Sequence, residues 1–193
     1  MGEGLLRTAH NKPAPLTAAI ADVVATRLRD IEDFPIKGVT FKDFTPLLGD
    51  GPALRAVVQD IARRYADRVD VVVGIEARGF IFGAAVAYEL GIGFVPVRKE
   101  GKLPSATHRE TYDLEYGSAV IEIHTDSLVP GARALVIDDI LATGGTAAAA
   151  CELIERTGAS VEAVEVLVEL GFLHGRTKLA GRTVHAMVSV AGQ

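Results

Sequence analysis

The 193-residue chain has no tryptophan and one cysteine. A lone thiol, Cys151, cannot close an intramolecular disulfide and has no second cysteine with which to build a zinc site. Set among alanines in a helix-forming stretch, it reads as packing filler. No apolar run approaches the roughly 18 to 20 residues that cross a bilayer, and Met1 to Pro15 has no hydrophobic stretch of the signal-peptide kind, so a cytoplasmic protein without membrane contact is expected. Positive charge is scarce as well. The 20 Lys and Arg residues against 25 Asp and Glu leave a net charge of -5, which argues against a chain built to coat nucleic acid, because backbone-phosphate binding needs a broad cationic surface. Apolar side chains are abundant: 49% of residues are hydrophobic and 23% charged. At this length that balance fills one core, and a single domain over residues 16–193 behind a flexible tail, 1–15, is expected.

Helical and strand periods alternate along the domain. Leu16 to Leu28 and Pro52 to Tyr65 carry apolar residues at helical spacing, Gly79 to Leu90 is an apolar helix stopped by Gly91, and Thr146 to Arg156 is a helix closed by Gly158. Val69–Ile75, Phe94–Arg98, Ala119–His124, Ala134–Ile137, Val161–Leu170 and Val184–Val190 read as strands. Asp33 to Pro46 is too rich in proline and aromatic residues for a helix and reads as an irregular loop with hydrophobic anchors. Lys99 to Gly117 has no period and is long enough for a functional flap. The alternation predicts an α/β fold with a mainly parallel twisted sheet, helices on both faces and ligands at the carboxyl ends of the strands.

One short segment breaks the acidic balance. Between Arg98 and Arg109 stand Arg98, Lys99, Lys102, His108 and Arg109 against Glu100 alone. A solvated surface loop or a local trap for a small anionic ligand would each produce this island, and charge alone does not separate them.

The segment Val136-Ile137-Asp138-Asp139-Ile140-Leu141-Ala142-Thr143-Gly144-Gly145-Thr146 runs from strand through loop into helix and carries more chemistry. Gly144 and Gly145 let the backbone approach a ligand, Thr143 and Thr146 add hydroxyls, and the free amides of the helix start face an anion. Asp138 and Asp139 at a strand end accept hydrogen bonds from a ribose diol and help hold magnesium, directly or through water. No lysine follows the glycines, so this is not a Walker loop, and the spacing of a dinucleotide fold is missing. The pattern asks for a sugar phosphate with a metal.

The segment resembles the phosphoribosyl diphosphate (PRPP) motif of the type I phosphoribosyltransferases, and three further stretches resemble the branch that uses adenine. The resemblance runs from about Phe34 to Val190. It implies that Asp138 and Asp139 meet the ribose hydroxyls and that Ala142, Thr143, Gly144, Gly145 and Thr146 wrap the 5-phosphate. Gly74-Ile75-Glu76-Ala77-Arg78-Gly79-Phe80 resembles the family's diphosphate loop, which puts Arg78 on the leaving diphosphate and a non-proline cis peptide at Glu76-Ala77. Val97-Arg98-Lys99-Glu100-Gly101-Lys102-Leu103-Pro104 resembles its basic flap, with Lys99 and Lys102 neutralising diphosphate oxygens. Glu115, in Glu110-Thr111-Tyr112-Asp113-Leu114-Glu115-Tyr116-Gly117, takes the place of the general acid or base, with Tyr116 beside the diphosphate. A hood over about 31–48 would stack Phe41 on the base with Thr40 and Lys42 at its edge. The family also implies Mg2+ as cofactor, adenine and PRPP as substrates and a homodimer. Transfer to another purine, or a PRPP-sensing regulator, are the alternatives to set against it.

Overall fold

The computed structural model describes residues 19–113 and 117–191. The chain opens with α1 (Ile20–Ala25), then a ribbon of β1 (Arg29–Ile31) and β2 (Phe41–Asp43), then α2 (Thr45–Gly49) and α3 (Gly51–Tyr65). β3 (Val71–Ile75), α4 (Gly79–Leu90), β4 (Gly93–Lys99), β5 (Thr107–Asp113), β6 (Ser118–His124), β7 (Arg133–Leu141), α5 (Gly145–Arg156) and β8 (Ser160–Leu170) follow. Two 3-10 turns, Gly171–Leu173 and Gly175–Leu179, lead into β9 (Val184–Val190).

The main sheet has the order β5-β6-β4-β3-β7-β8-β9. From β4 to β9 every pairing is parallel, while β6 joins β4 and β5 antiparallel. Strand alternation divides the core in two. Val73, Val136 and Val164 face one way with Ala150, Leu153 and Ile154 of α5. Val72, Leu135 and Ile137 face the other way with Val57 and Ile61 of α3 and Phe82 and Val86 of α4. Both faces of the central strands are therefore buried, which explains why they read as unbroken β-branched runs. Each fully buried side chain of this kind is worth about 1.5–3 kcal/mol. Cys151 is wholly buried in the α5 core, and burial pushes its thiol up to about 11, in keeping with packing rather than chemistry.

The expected architecture is present, with three corrections. Asp33 to Pro46 is not wholly irregular: Phe41–Asp43 pairs antiparallel with Arg29–Ile31, and Thr45 starts a short helix. The flap is half strand, because Thr107–Asp113 pairs along its length with Ser118–His124. The first helix is shorter than Leu16 to Leu28, with Thr26 already capping it; residues 16–18 and the tail lie outside the described part.

One topological feature positions the site. β3 and β7 are neighbours, yet α4 leaves β3 over one face and α5 leaves β7 over the other. The carboxyl ends of those two strands frame a crevice of the kind in which open α/β sheets bind ligands.

Candidate active site

β7 continues beyond its expected end at Ile137 and carries Asp138 and Asp139 within the strand, so both acids sit at the lip of the crevice. Ala142, Thr143 and Gly144 then turn the chain into α5. Gly144 caps that helix in the left-handed region, at φ 80, where glycine is at home. No side chain caps α5, so its first-turn amides are left to an anion. Gly144 and Gly145 are buried and Thr143 and Thr146 half-buried around them.

The two acids are not equivalent. Asp138 Oδ1 accepts the amide of Asp139 at 2.9 Å. Burial, reinforced by the adjacent Asp139 charge, pushes the Asp138 carboxyl well above the usual carboxylate range. Asp139 is 4% exposed. Its Oδ2 lies 2.9 Å from Arg78 Nε but off the N–H direction, so this oxygen is buried without a hydrogen bond. A pair in this state favours a cation or hydroxyl donors, which relieve the crowding of negative charge.

The β3–α4 loop presses onto the same place. A Cβ on Gly79 would stand 2.6 Å from the carbonyl oxygen of Ile137 and 3.2 Å from Asp138 Oδ1, so only glycine lets α4 start this close to the acids. The Glu76–Ala77 peptide is cis, as the resemblance implied. Arg78 bridges three parts of the mouth: Nη1 donates to the carbonyl of Lys42 at 3.2 Å, the guanidinium lies 5.1 Å from the Phe41 ring centre and 5.2 Å from that of Phe44, and Nε faces Asp139. The side chain expected to hold diphosphate thus also ties the hood to the acid pair.

The basic island folds onto Glu76. Lys102 Nζ donates to Glu76 Oε1 at 2.6 Å, and Arg98 Nε and the Lys99 amide reach Oε2 at 3.4 and 3.0 Å. Burial works to raise the Glu76 carboxyl, but these donors outweigh it and leave it lowered. Glu122, 1% exposed, accepts the amides of Lys102 and Leu103 at 3.1 and 3.0 Å and fixes the base of the flap. The Lys99 side chain is exposed and enters none of the ion pairs found among the described residues. Glu115 and Tyr116 lie outside the described residues.

In the hood, Phe41 is half-buried and meets Phe34 edge to face, ring centres 5.2 Å apart. Thr40 is exposed beside it. Lys42 Nζ is committed to the carboxylate of Asp30, with both oxygens at 2.8 Å, because the β1–β2 register places the two residues opposite each other. Sequence reasoning missed Asp30, the hub role of Glu76 and the buried Gly175. Glu76 stood inside a stretch already singled out, whereas Asp30 and Gly175 reach the site only through strand pairing and a distant turn.

The uncapped, glycine-lined start of α5, the buried acid pair, the cationic segment around Lys102 and the aromatic ribbon open on one crevice, an arrangement able to take an anion, a cation or hydroxyl donors, and a flat ring. The family model described as Phosphoribosyl transferase domain matches residues 48–184. Adenine phosphoribosyltransferase of Salinispora arenicola is 54% identical over 173 residues, covering 89% of this chain and 92% of that one. The Thermobifida fusca protein of that name is 50% identical over 176 residues, 91% of this chain and 100% of its own. Among solved structures, adenine phosphoribosyltransferase from Thermoanaerobacter pseudethanolicus superposes with a TM-score of 0.85 at 44% identity, over 88% of this chain and 99% of that one. The Saccharomyces cerevisiae enzyme, solved with adenine and an imino-altritol bisphosphate, gives 0.83 at 37% identity, over 87% and 98%. The chain belongs to the phosphoribosyltransferase family and, within it, to the adenine phosphoribosyltransferases.

Proposed function

We propose that this enzyme joins N9 of adenine to C1 of the ribose of PRPP, breaking the C1–oxygen bond so that its electron pair leaves with diphosphate, and giving AMP with inversion at the anomeric carbon. The observation that carries this reading is the buried acid pair of Asp138 and Asp139 running directly into the uncapped, glycine-lined start of α5. In this reading Ala142 to Thr146 hold the 5-phosphate and the two acids orient the ribose and offer negative potential to a cation-like C1. Arg78, Lys99 and Lys102 take charge developing on the diphosphate. Phe41 stacks on the base, with Thr40 and the backbone of Lys42 at its edge. Glu115 accepts the proton lost by the base, and Tyr116 flanks the diphosphate. Closure of the 99–117 flap excludes water that would hydrolyse PRPP.

Magnesium fits the donors present. Asp139 offers a buried oxygen with no hydrogen bond, and the Asp138 carboxyl is crowded by its neighbour. Among the described residues no third acid or histidine completes a metal cage, so Asp138 and Asp139 would share the ion with oxygens of PRPP. Once bound, it neutralises diphosphate charge.

The proposed assembly is a homodimer. α4 turns an apolar stripe outward, with Ile81 44% and Tyr88 88% exposed on either side of Ala84, and Arg78 caps the start of this helix. No helix among the described residues is long and apolar enough to cross a membrane, and phosphorylated substrates place the proposed reaction in the cytoplasm.

The test is a panel of adenine, hypoxanthine, guanine and xanthine with PRPP and magnesium, following diphosphate and nucleotide together. Adenine is expected to dominate, with one diphosphate per AMP. Faster turnover of another purine would move the specificity elsewhere in the family. No turnover of any base, with salt-sensitive DNA binding instead, would favour a PRPP-sensing regulator.

A further inference from the structure

The phosphate loop does not stand alone. Gly175, buried in the second 3-10 turn after β8, lies against it backbone to backbone. A Cβ on Gly144 would overlap the carbonyl oxygen of Gly175. A Cβ on Gly175 would overlap the carbonyl oxygen of Ala142 and come within 3.0 Å of the Gly144 amide nitrogen. The two glycines interlock, and neither segment moves toward the other without collision.

The turn holding Gly175 is itself braced. Arg176 places its guanidinium fork on Glu169, Nε to Oε1 at 2.7 Å and Nη2 to Oε2 at 2.9 Å, and its Nη1 donates to the carbonyl of Val184 at 2.8 Å. Glu169 is 8% exposed while the Arg176 side chain is 47% exposed, so this is a half-sheltered but bidentate, charge-assisted contact. Leu179, at the end of the same turn, is buried with Ala150, Leu153 and Ile154 of α5. The helix that presents its amides to the phosphate and the turn that backs the loop are thus packed into one unit.

We infer that Gly175, braced by Arg176 and Glu169, is a positioning residue for the 5-phosphate of PRPP. It touches no substrate in this scheme; it fixes where the Ala142–Gly144 backbone stands, and with it the direction of the anion-binding amides. The inference rests on the reading that residues 142–146 hold that phosphate. Gly175 is not among the residues in the left-handed region, so alanine suits its own backbone, and the added methyl acts only through its contact with the phosphate loop. Gly171, in the same segment, is the matched control: a Cβ there would make ordinary contacts of 3.4 and 3.5 Å with Ser189 and Val190.

The experiment measures binding of ribose 5-phosphate, which carries the phosphate without the diphosphate, together with KM for PRPP and for adenine. Wild type, Gly175→Ala, Gly171→Ala and Thr146→Val are compared, with melting temperatures recorded. Gly175→Ala is expected to weaken ribose 5-phosphate and raise the PRPP KM by about 10- to 100-fold, the scale of an ångström-sized misplacement. Its adenine KM should stay within about twofold and Gly171→Ala should match wild type. If Thr146→Val weakens ribose 5-phosphate while Gly175→Ala binds it like wild type, the positioning role is wrong and the phosphate reading stands. If Thr146→Val also binds it like wild type, both fall. Should Gly175→Ala not fold, Arg176→Lys takes its place, since it keeps the charge and the glycine contact but loses the fork. A raised PRPP KM at unchanged adenine KM is then expected, and an unchanged PRPP KM overturns the inference.

Discussion

The phosphate loop after β7 and the β1–β2 hood open onto the same crevice but are built differently. The loop is a matter of backbone: left-handed Gly144, buried Gly145 and an uncapped helix start, held from behind by Gly175. The hood is a matter of side chains. Three-residue strands carry it, Phe34 and Ile36 are 50% and 56% exposed, Arg29 on Asp43 ties its two strands to each other, and the Arg78 guanidinium links it to the rest of the site. In the proposed reading, rigid backbone suits an anion that every PRPP presents in one way. An exposed ribbon, held by few contacts, suits a base that must enter and leave.

Arg78 is where the two regions meet, so its removal should do most damage. Arg78→Ala is expected to lower kcat/KM by about 100- to 1000-fold, as loss of a charge-stabilising donor does elsewhere. It should also raise the adenine KM, because the Phe41 and Phe44 rings lose their shared partner. Arg78→Lys should recover little, since an ammonium cannot serve Asp139, the Lys42 carbonyl and two ring faces at once. If Arg78→Ala altered the PRPP parameters alone, the hood would be independent of the acid pair and the link described above would be wrong.

The next largest effect belongs within the hood. Phe41→Ala should raise the adenine KM by about 10- to 100-fold, matching the roughly 1–3 kcal/mol that an aromatic stack on a base supplies, while leaving the PRPP KM close to wild type. Lys42→Ala is the contrast. Its ammonium is spent on Asp30, whose side chain is 54% exposed, and pairs at the surface are worth about 0–1 kcal/mol. A change of more than tenfold in adenine KM for Lys42→Ala would show that the lysine leaves Asp30 for the base.

The same contrast explains what could be read from residues alone. The cradle, the acid pair and the buried strands were legible because each depends on local chemistry: glycine where φ is positive, acids at a strand end, β-branched runs between two helix layers. β5 was not, because Thr107 to Asp113 carries polar or charged groups on both faces and shows no period of two. Pairing with β6 and ion pairs such as Arg156 to Glu110 make it a strand. The ribbon was missed for a similar reason, as three residues are too few for a pattern. Gly175 had no local signal at all, since its importance comes from a loop some 30 residues earlier.

The smallest effect separates the hood from the sheet by acid. Thr45, through its hydroxyl and its amide, and then Arg29 hold the Asp43 carboxyl down at about 2, and Arg133 holds Asp70 at about 2 at the far end of β3. Both folded values lie below the roughly 3.9 of a free aspartate. Their stabilisation is therefore complete above about pH 4 and drains away as pH falls toward about 2. Thermal unfolding of Asp43→Asn and Asp70→Asn should show melting temperatures below wild type at pH 6 that converge with it near pH 2. Only Asp43→Asn should also raise the adenine KM at neutral pH, because Asp43 anchors the end of β2 two residues from Phe41, whereas Asp70 braces strands remote from the hood. A wild-type adenine KM for Asp43→Asn would mean that the ribbon holds its shape without that anchor, through its strand pairing, the Lys42–Asp30 pair and Arg78.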